Sequence, residues 1–260
     1  MEKNVTQTRV ELKYLVPAEL VDHVAGRLPA CDLASRQVTT VYFDRMDRSL
    51  SLEALLNPEQ STKIRVREFH DGAPYLWIEV KTRSGAWTNT SRFRIDKGAV
   101  GPLLRSGEIR NPPDPASLCG TCDLEVGEAF RRLRDVAGGR LVAIGAVAAA
   151  RNVYRVRDLP FRLTLDRDIA YYRVPPGLFE TRNSVTPRGL GVPIRREPCA
   201  VLEIRHGGAV PVWCRDVVAG LARTHYSKFR TLVRAIERSC KPPCGSTSKA
   251  STAAARKGTR

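Results

Sequence analysis

Apolar and polar positions alternate with a period of two along much of this chain, the pattern of strands with one apolar and one charged face. Arg9, Glu11 and Lys13 alternate with Val10, Leu12 and Tyr14, and Tyr42 and Asp44 with Val41 and Phe43. Lys63, Arg65 and Arg67 oppose Ile64 and Val66. Glu79, Lys81 and Arg83 oppose Leu76, Ile78 and Val80. The same alternation places Arg92 and Arg94 against Phe93 and Ile95. It returns with Arg162, Thr164 and Asp166 against Phe161, Leu163 and Leu165, and with Glu203 and Arg205 against Leu202 and Ile204. With a further segment around Leu141 to Arg157, about eight strands result, enough to close a barrel.

Three stretches change to helical spacing. One is opened by Pro17 and runs through Leu20, Val21, Val24 and Leu28, with proline suited to the first turn. Val126, Ala129, Phe130 and Leu133 form a second that stops at Gly138 and Gly139; Phe229, Leu232, Val233 and Ile236 form the third. The segment from Pro175 to Pro198, rich in Pro, Gly and Arg, is expected to be a long loop over one barrel mouth. No internal repeat is visible. The expected fold class is α+β, an eight-stranded antiparallel barrel braced by outer helices.

The row Lys63, Arg65, Arg67 carries an electrostatic cost. Like charges one pleat apart, about 7 Å at an effective dielectric of about 20, repel by roughly 2 kcal/mol per pair. A solvated sheet face is the simplest alternative, yet such faces mix Lys, Glu, Thr and Ser, whereas these rows are dominated by arginine. Arginine is favoured where planar, bidentate contact with phosphate matters. If the helices take the apolar faces on the outside, the charged faces line the lumen.

Composition supports an anionic partner. The chain of 260 residues has 43 Lys plus Arg against 27 Asp plus Glu, a net charge of +16. The last twenty residues, from Lys241, hold five cations and no acid, and read as a disordered basic tail after a domain spanning residues 1–240. Without those five the rest still carries +11. The longest apolar run, Leu141 to Ala150, contains Gly145 and is too short to span a bilayer, and no apolar signal core follows Met1, so a cytoplasmic location is expected. Seven cysteines, an odd number, argue against a disulfide framework. Cys119, Cys122, Cys240 and Cys244 have a spacing open to a structural zinc or to two unrelated pairs of reduced thiols. Nucleic acid is the weaker anionic partner, because few aromatics are interleaved with the cations for base stacking.

The ordered set Glu11-Leu-Lys13-Tyr14, Tyr42-Phe-Asp44, Lys63-Ile-Arg65-Val-Arg67, Glu79-Val-Lys81, Arg162-Leu-Thr-Leu-Asp166 and Leu202-Glu203-Ile204 resembles the VTC domain. That family is the polyphosphate polymerase branch of the CYTH-like triphosphate tunnel metalloenzymes. The resemblance implies an eight-stranded tunnel that takes the terminal phosphate of ATP, with Mn2+ or Mg2+, and adds it to inorganic polyphosphate. By resemblance, Lys13, Arg65, Arg67, Lys81, Arg151 and Arg162 are the catalytic cations. Glu11, Arg92, Ser227 and Lys228 bind substrate and Glu203 holds the metal; whether a membrane-protein partner takes the product away is left open by the sequence.

The physical chemistry agrees, since phosphoryl transfer asks mainly for positioning and for cations where charge develops. Several alternatives remain open. Arg65 and Arg67 could pair with Glu11, Glu79 or Asp166 as structural ion pairs, Asp44, Asp166 and Glu203 could serve the same end, and Ser227 could be a helix cap. The hydrolytic branch has Glu-x-Glu-x-Lys on its first strand, where this chain has Arg9-Val-Glu11-Leu-Lys13. His225 and Arg205 stand where the polymerase pattern usually has lysine. A tripolyphosphatase or nucleoside triphosphatase, and a non-catalytic polyphosphate-binding module, are the competing functions.

Overall fold

The structure is a computed structural model that describes residues 7–28, 32–105, 118, 123–155, 161–175, 178–181, 184–207 and 210–240. Its strands are β1 (Gln7–Val16), β2 (Asp32–Arg45), β3 (Gln60–Phe69), β4 (Tyr75–Ser84) and β5 (Trp87–Asp96), then β6 (Leu141–Arg155), β7 (Phe161–Tyr172), β8 (Arg195–Arg196), β9 (Ala200–His206) and β10 (Ala222–Arg223). The path β1-β5-β4-β3-β2-β6-β7 is closed by β9, which pairs antiparallel with both β7 and β1. The result is an eight-stranded antiparallel barrel, with β8 and β10 as short additions beside β7 and β1. Closure leaves no long unpaired edge.

The apolar faces point outward and need cover. Ile64, Val66, Ile78, Val80, Phe93 and Ile95 are buried beneath Val126, Phe130 and Leu133 of α4 (Asp123–Ala137). Leu163, Leu165, Leu202 and Ile204 lie beneath Val24 of α1 (Val21–Arg27) and Val217 of α7 (Val212–Val218). Here α2 is Ser49–Leu56 and α3 is Lys97–Arg105, while α5 (Leu178–Thr181) and α6 (Pro187–Leu190) are single turns. One end of the barrel is partly plugged by α8 (Lys228–Cys240), whose Phe229, Leu232 and Val233 pack with Tyr42, Val147 and Tyr171. The rings of Tyr42 and Phe229 are 5.2 Å apart. Gly145 permits this seat, because a Cβ there would come within 2.9 Å of both Leu232 and Ile236.

Three features depart from the sequence pattern. Asp168 and Ile169 of β7 stand opposite the single Ala149 of β6, and Asp168 has φ +52°, so a bulge inverts the strand. Before it Asp166 faces the lumen; after it Ile169 and Tyr171 join the apolar plug. A second irregularity between Tyr42 and Phe43 separates Tyr42, which packs under α8, from Asp44. Third, the described residues from Leu178 to Leu190 lie against the outer wall, while Ile194 packs with the apolar plug at the barrel end. Phe179 stacks 6.0 Å from Phe43, and Glu68 accepts hydrogen bonds from the Ser184 hydroxyl at 2.7 Å and the Val185 N–H at 2.6 Å. Apolar Leu178, Phe179, Val185 and Leu190 have to be buried, so this part of the segment covers the wall and not the mouth. Of the four cysteines with zinc spacing, Cys119, Cys122 and Cys244 lie outside the described residues, as does the tail from Lys241. Among the described residues no helix is long and apolar enough to cross a membrane.

Asp44 is fully buried and accepts from the backbone N–H groups of Arg45 at 2.8 Å and of Leu50 and Ser51 at 3.0 Å. It ties β2 to the first turn of α2, whose own Arg48 cap offers no side-chain acceptor. Asp44→Ala strands these donors, and we expect a loss of about 3 kcal/mol, seen as a fall of about 5 to 10 °C in Tm.

Candidate active site

Inward-pointing side chains follow from the pleat. On β3 the lumen row is Lys63, Arg65, Arg67; on the paired β4 it is Trp77, Glu79, Lys81, Arg83, with Lys63 opposite Lys81 and Arg65 opposite Glu79. On β1 it is Glu11 and Lys13, opposite Arg205 and Glu203 of β9. On β6 and β7, Arg151 faces Asp166. The charged wall is not continuous: Val38, Val147 and Ala149 line the β2 and β6 side.

Four buried carboxylates organise the cations. Glu79 accepts from Arg65 Nε at 2.5 Å, with Arg67 at 3.4 Å and Arg92 at 3.9 Å. Asp166 accepts both arms of Arg151, at 2.6 and 2.7 Å, and also pairs with Lys228. Glu11 is held by Lys13 at 2.8 Å, by Lys81, and by Arg205 at 3.7 Å. Glu203 pairs with Arg205 and, at 3.7 Å, with Lys13. The first two lie among arginine forks, a fixed geometry. Glu11 and Glu203 share Lys13 and Arg205 across neighbouring strands.

Of the residues expected in the site from sequence, all but Ser227 and Lys228, which open α8, stand on strands of this barrel. Glu11, Lys13, Arg65, Arg67, Lys81, Arg92, Arg151 and Glu203 are drawn into the pairs above, and Lys228 reaches Asp166. Arg162 stands on β7 in register with Arg205. The Ser227 hydroxyl has two roles, accepting from the Arg230 N–H at 3.4 Å as a helix cap and from Lys63 Nζ at 3.2 Å. His225 is exposed and 3.0 Å from Glu59. Sequence reasoning left out Arg83, Arg223 and Arg230, which surround the narrow recess between β1, β3 and β4 that also takes in Lys13, Lys63 and Lys81. Arg83 was visible in its alternating row. Arg223 belongs to a two-residue strand and Arg230 to a helix start, so neither had a periodicity to betray it.

Electrostatics follows from burial and neighbours. Burial disfavours charge on all these groups, but Arg65, Arg67 and Arg92 together hold Glu79 well below the carboxylate range. Arg151 and Lys228 do the same to Asp166. Lys81 is pushed down to about 8, by burial first, against the opposing pull of Glu11. Lys63 is driven well below the usual lysine range by burial and then by Lys13 and Lys81.

A divalent cation, which the resemblance to the VTC domain implies, would need oxygen donors. Among the described residues no group of three or more His, Cys, Asp and Glu side chains could cage a metal. Mg2+ and Mn2+ are commonly held by one or two carboxylates together with substrate phosphates and water, and Glu203, with Glu11 beside it, fits that arrangement.

The sequence model of the VTC domain family matches residues 8–236. A candidate adenylate cyclase of Bacillus halodurans superposes with a TM-score of 0.53 at 15% identity, covering 87% of this chain and 97% of that one. A candidate adenylyl cyclase of Hippeastrum, in which triphosphatase activity dominates, gives 0.50 at 16% identity over 87% and 95%. At such identities the likeness is one of fold. No curated protein sequence matches the chain.

The depressed carboxylates set the acid behaviour. Glu79 and Asp166 titrate near 4 when unfolded and lower when folded, so their contribution is present above about pH 4 and is lost as pH falls through the folded values. Urea unfolding is expected to show a flat midpoint from pH 7 to about 5 and a steep decline below about 4. Asp166→Asn should remove about 3 kcal/mol at pH 7, by leaving Arg151 and Lys228 without a counter-charge, and flatten the decline.

Proposed function

Because the chain belongs to the VTC domain family, we propose that it is a metal-dependent polyphosphate polymerase that moves the terminal phosphate of ATP onto inorganic polyphosphate. One observation carries the reading beyond family membership. The inward rows of β3 (Arg67, Arg65, Lys63) and β4 (Glu79, Lys81, Arg83) run side by side from the barrel interior to the recess. A single triphosphate needs a pocket, whereas a growing chain needs a cationic track with an exit.

In this reading an acceptor phosphate oxygen bonds to the γ-phosphorus, the bond from that phosphorus to the β–γ bridging oxygen breaks, and ADP leaves with the bridging oxygen. Arg65, Arg67 and Arg151 orient phosphates through planar forks, and the lysines act as mobile point charges along the path. When bound, Mn2+ or Mg2+ neutralises charge on the phosphate oxygens, with Glu203 as its protein ligand. Substrate phosphates replace part of the carboxylate pairing, so arginine need not leave one counter-charge before meeting the next.

Incubated with ATP and Mn2+, the purified chain is expected to form a phosphate ladder on a gel. Arg65→Ala and Glu203→Ala should each reduce chain synthesis by about 100-fold or more, the scale for losing a preorganised charge at the reacting group. Free phosphate from the start, without chains, would identify a triphosphatase instead. Tight polyphosphate binding without turnover would identify a binding module.

A further inference from the structure

We propose that Arg205 is a latch on the metal ligand: its guanidinium holds Glu203, and with it Glu11, until a substrate phosphate draws it away and leaves the carboxylates to the divalent cation. This inference rests on the reading of Glu203 as the metal ligand, and adds to it the residue that couples metal binding to phosphate binding.

Four charges form a closed square at this place. Glu11 of β1 stands opposite Arg205 of β9, and Lys13 of β1 opposite Glu203 of β9, so the acids occupy one diagonal and the cations the other. All four sides are contacts: Glu11 to Lys13 at 2.8 Å, Lys13 to Glu203 at 3.7 Å, Arg205 to Glu11 at 3.7 Å, and Arg205 to Glu203. Both oxygens of Glu203 are thereby engaged, Oε1 by Arg205 and Oε2 by Lys13. A divalent ion that takes either oxygen meets a cation already there, and the two repel.

Arg205 is the corner that can open. Arg151 grips Asp166 through an aligned fork, at 2.6 and 2.7 Å. Arg205 makes no such fork: among the described residues neither its Nε nor Glu203 Oε1 has an aligned hydrogen-bond partner, although both atoms are buried. Their contact is one of charge, without the directed bonds that make a guanidinium pair strong. Lys13 is better fastened, since it also donates to the Tyr226 carbonyl at 3.3 Å. The Arg205 side chain keeps 23% of its surface exposed, against 7% for Arg151, which leaves it room to turn. It stands in register with Arg162 of β7, so a phosphate between these strands meets two guanidiniums. Phosphate offers Arg205 the aligned bonds that Glu203 does not, and Glu203 Oε1 is then available to the metal. Each ligand thus favours the binding of the other, and by the same factor.

Mn2+ binding, read from the electron paramagnetic resonance signal of the free ion, tests this without turnover. Arg205→Met and Arg205→Gln, which remove the charge, are each expected to bind Mn2+ about 10-fold more tightly than the unaltered protein, and should one fail to fold the other carries the test. Arg205→Lys keeps the charge and should stay within about 2-fold, as should Arg92→Met, whose lost charge belonged to the pair with Glu79. Sulfate, a tetrahedral dianion in place of phosphate, should tighten Mn2+ binding to the unaltered protein about 5-fold over chloride of equal ionic strength and leave Arg205→Met unchanged. An Mn2+ affinity indifferent to Arg205, an equal tightening in Arg92→Met, or sulfate that acts on both proteins alike or on neither overturns the latch. Absence of Mn2+ binding in every variant overturns Glu203 as ligand and the latch with it. If the unaltered protein makes no polyphosphate while Arg205→Met tightens Mn2+, the polymerase reading fails and the latch stands; a phosphate ladder with an affinity indifferent to Arg205 has the reverse meaning.

Discussion

Cations on adjacent staves of a closed barrel cannot move apart, and this enforced proximity governs the rest of the molecule. At 4 Å and an effective dielectric of about 20 a pair of like charges costs about 4 kcal/mol, and desolvation adds to it. Glu11, Glu79, Asp166 and Glu203 answer this cost from four different strands. Their division of labour differs. Glu79 and Asp166 are wrapped by arginine forks and act as internal fasteners. Glu11 and Glu203 are shared among Lys13, Lys81 and Arg205, whose ammonium and guanidinium groups have more than one anion to choose from.

Such an interior dictates the exterior. A barrel that turns its charges inward must expose apolar residues on its outer face, and each outer helix of the described structure exists where such residues need covering. The same logic explains the plug. Near α8 the lumen face of β2, β6 and β7 becomes apolar, with Tyr42, Val147, Ile169 and Tyr171 beneath Phe229, so that the polar track is directed to the β1, β3 and β4 side. The bulge at Asp168 and Ile169 performs the change of face within a single strand.

Strand rows were legible in the sequence because a period of two survives wherever one face is buried and the other charged. Seven of the eight staves could be traced to such rows, and the sense of the barrel, charges in, followed from the need to place helices. α2 and α7 were not legible: Ser49–Leu56 exposes Leu52 and Leu56 at 56% and 68%, which blurs its apolar face, and Val212–Val218 is two turns long. The two irregular positions escaped because a bulge is a property of pairing, and a single strand carries no record of its partner. At the site, the residue types were readable but their partners were not. Nothing in Arg65-Val-Arg67 states that both guanidiniums converge on Glu79, nor that Lys63 is left with Ser227.

The resulting balance makes ligand and fold answer to the same forces. A barrel with every lumen cation neutralised by its own carboxylates would be more stable and would have no affinity for phosphate, since each new ion pair would have to break an equally good one. A barrel with none would not close. This chain lies between the limits: arginines that define the geometry are fastened, and lysines toward the opening are shared or left uncompensated. In the proposed function, phosphate oxygens entering the recess gain the interaction that the fold withholds from Lys63, and any ligand that binds the folded chain alone shifts its unfolding equilibrium in the same direction. On that proposal, the electrostatic deficit at the mouth is the complement of the polyanion, set in place before it arrives.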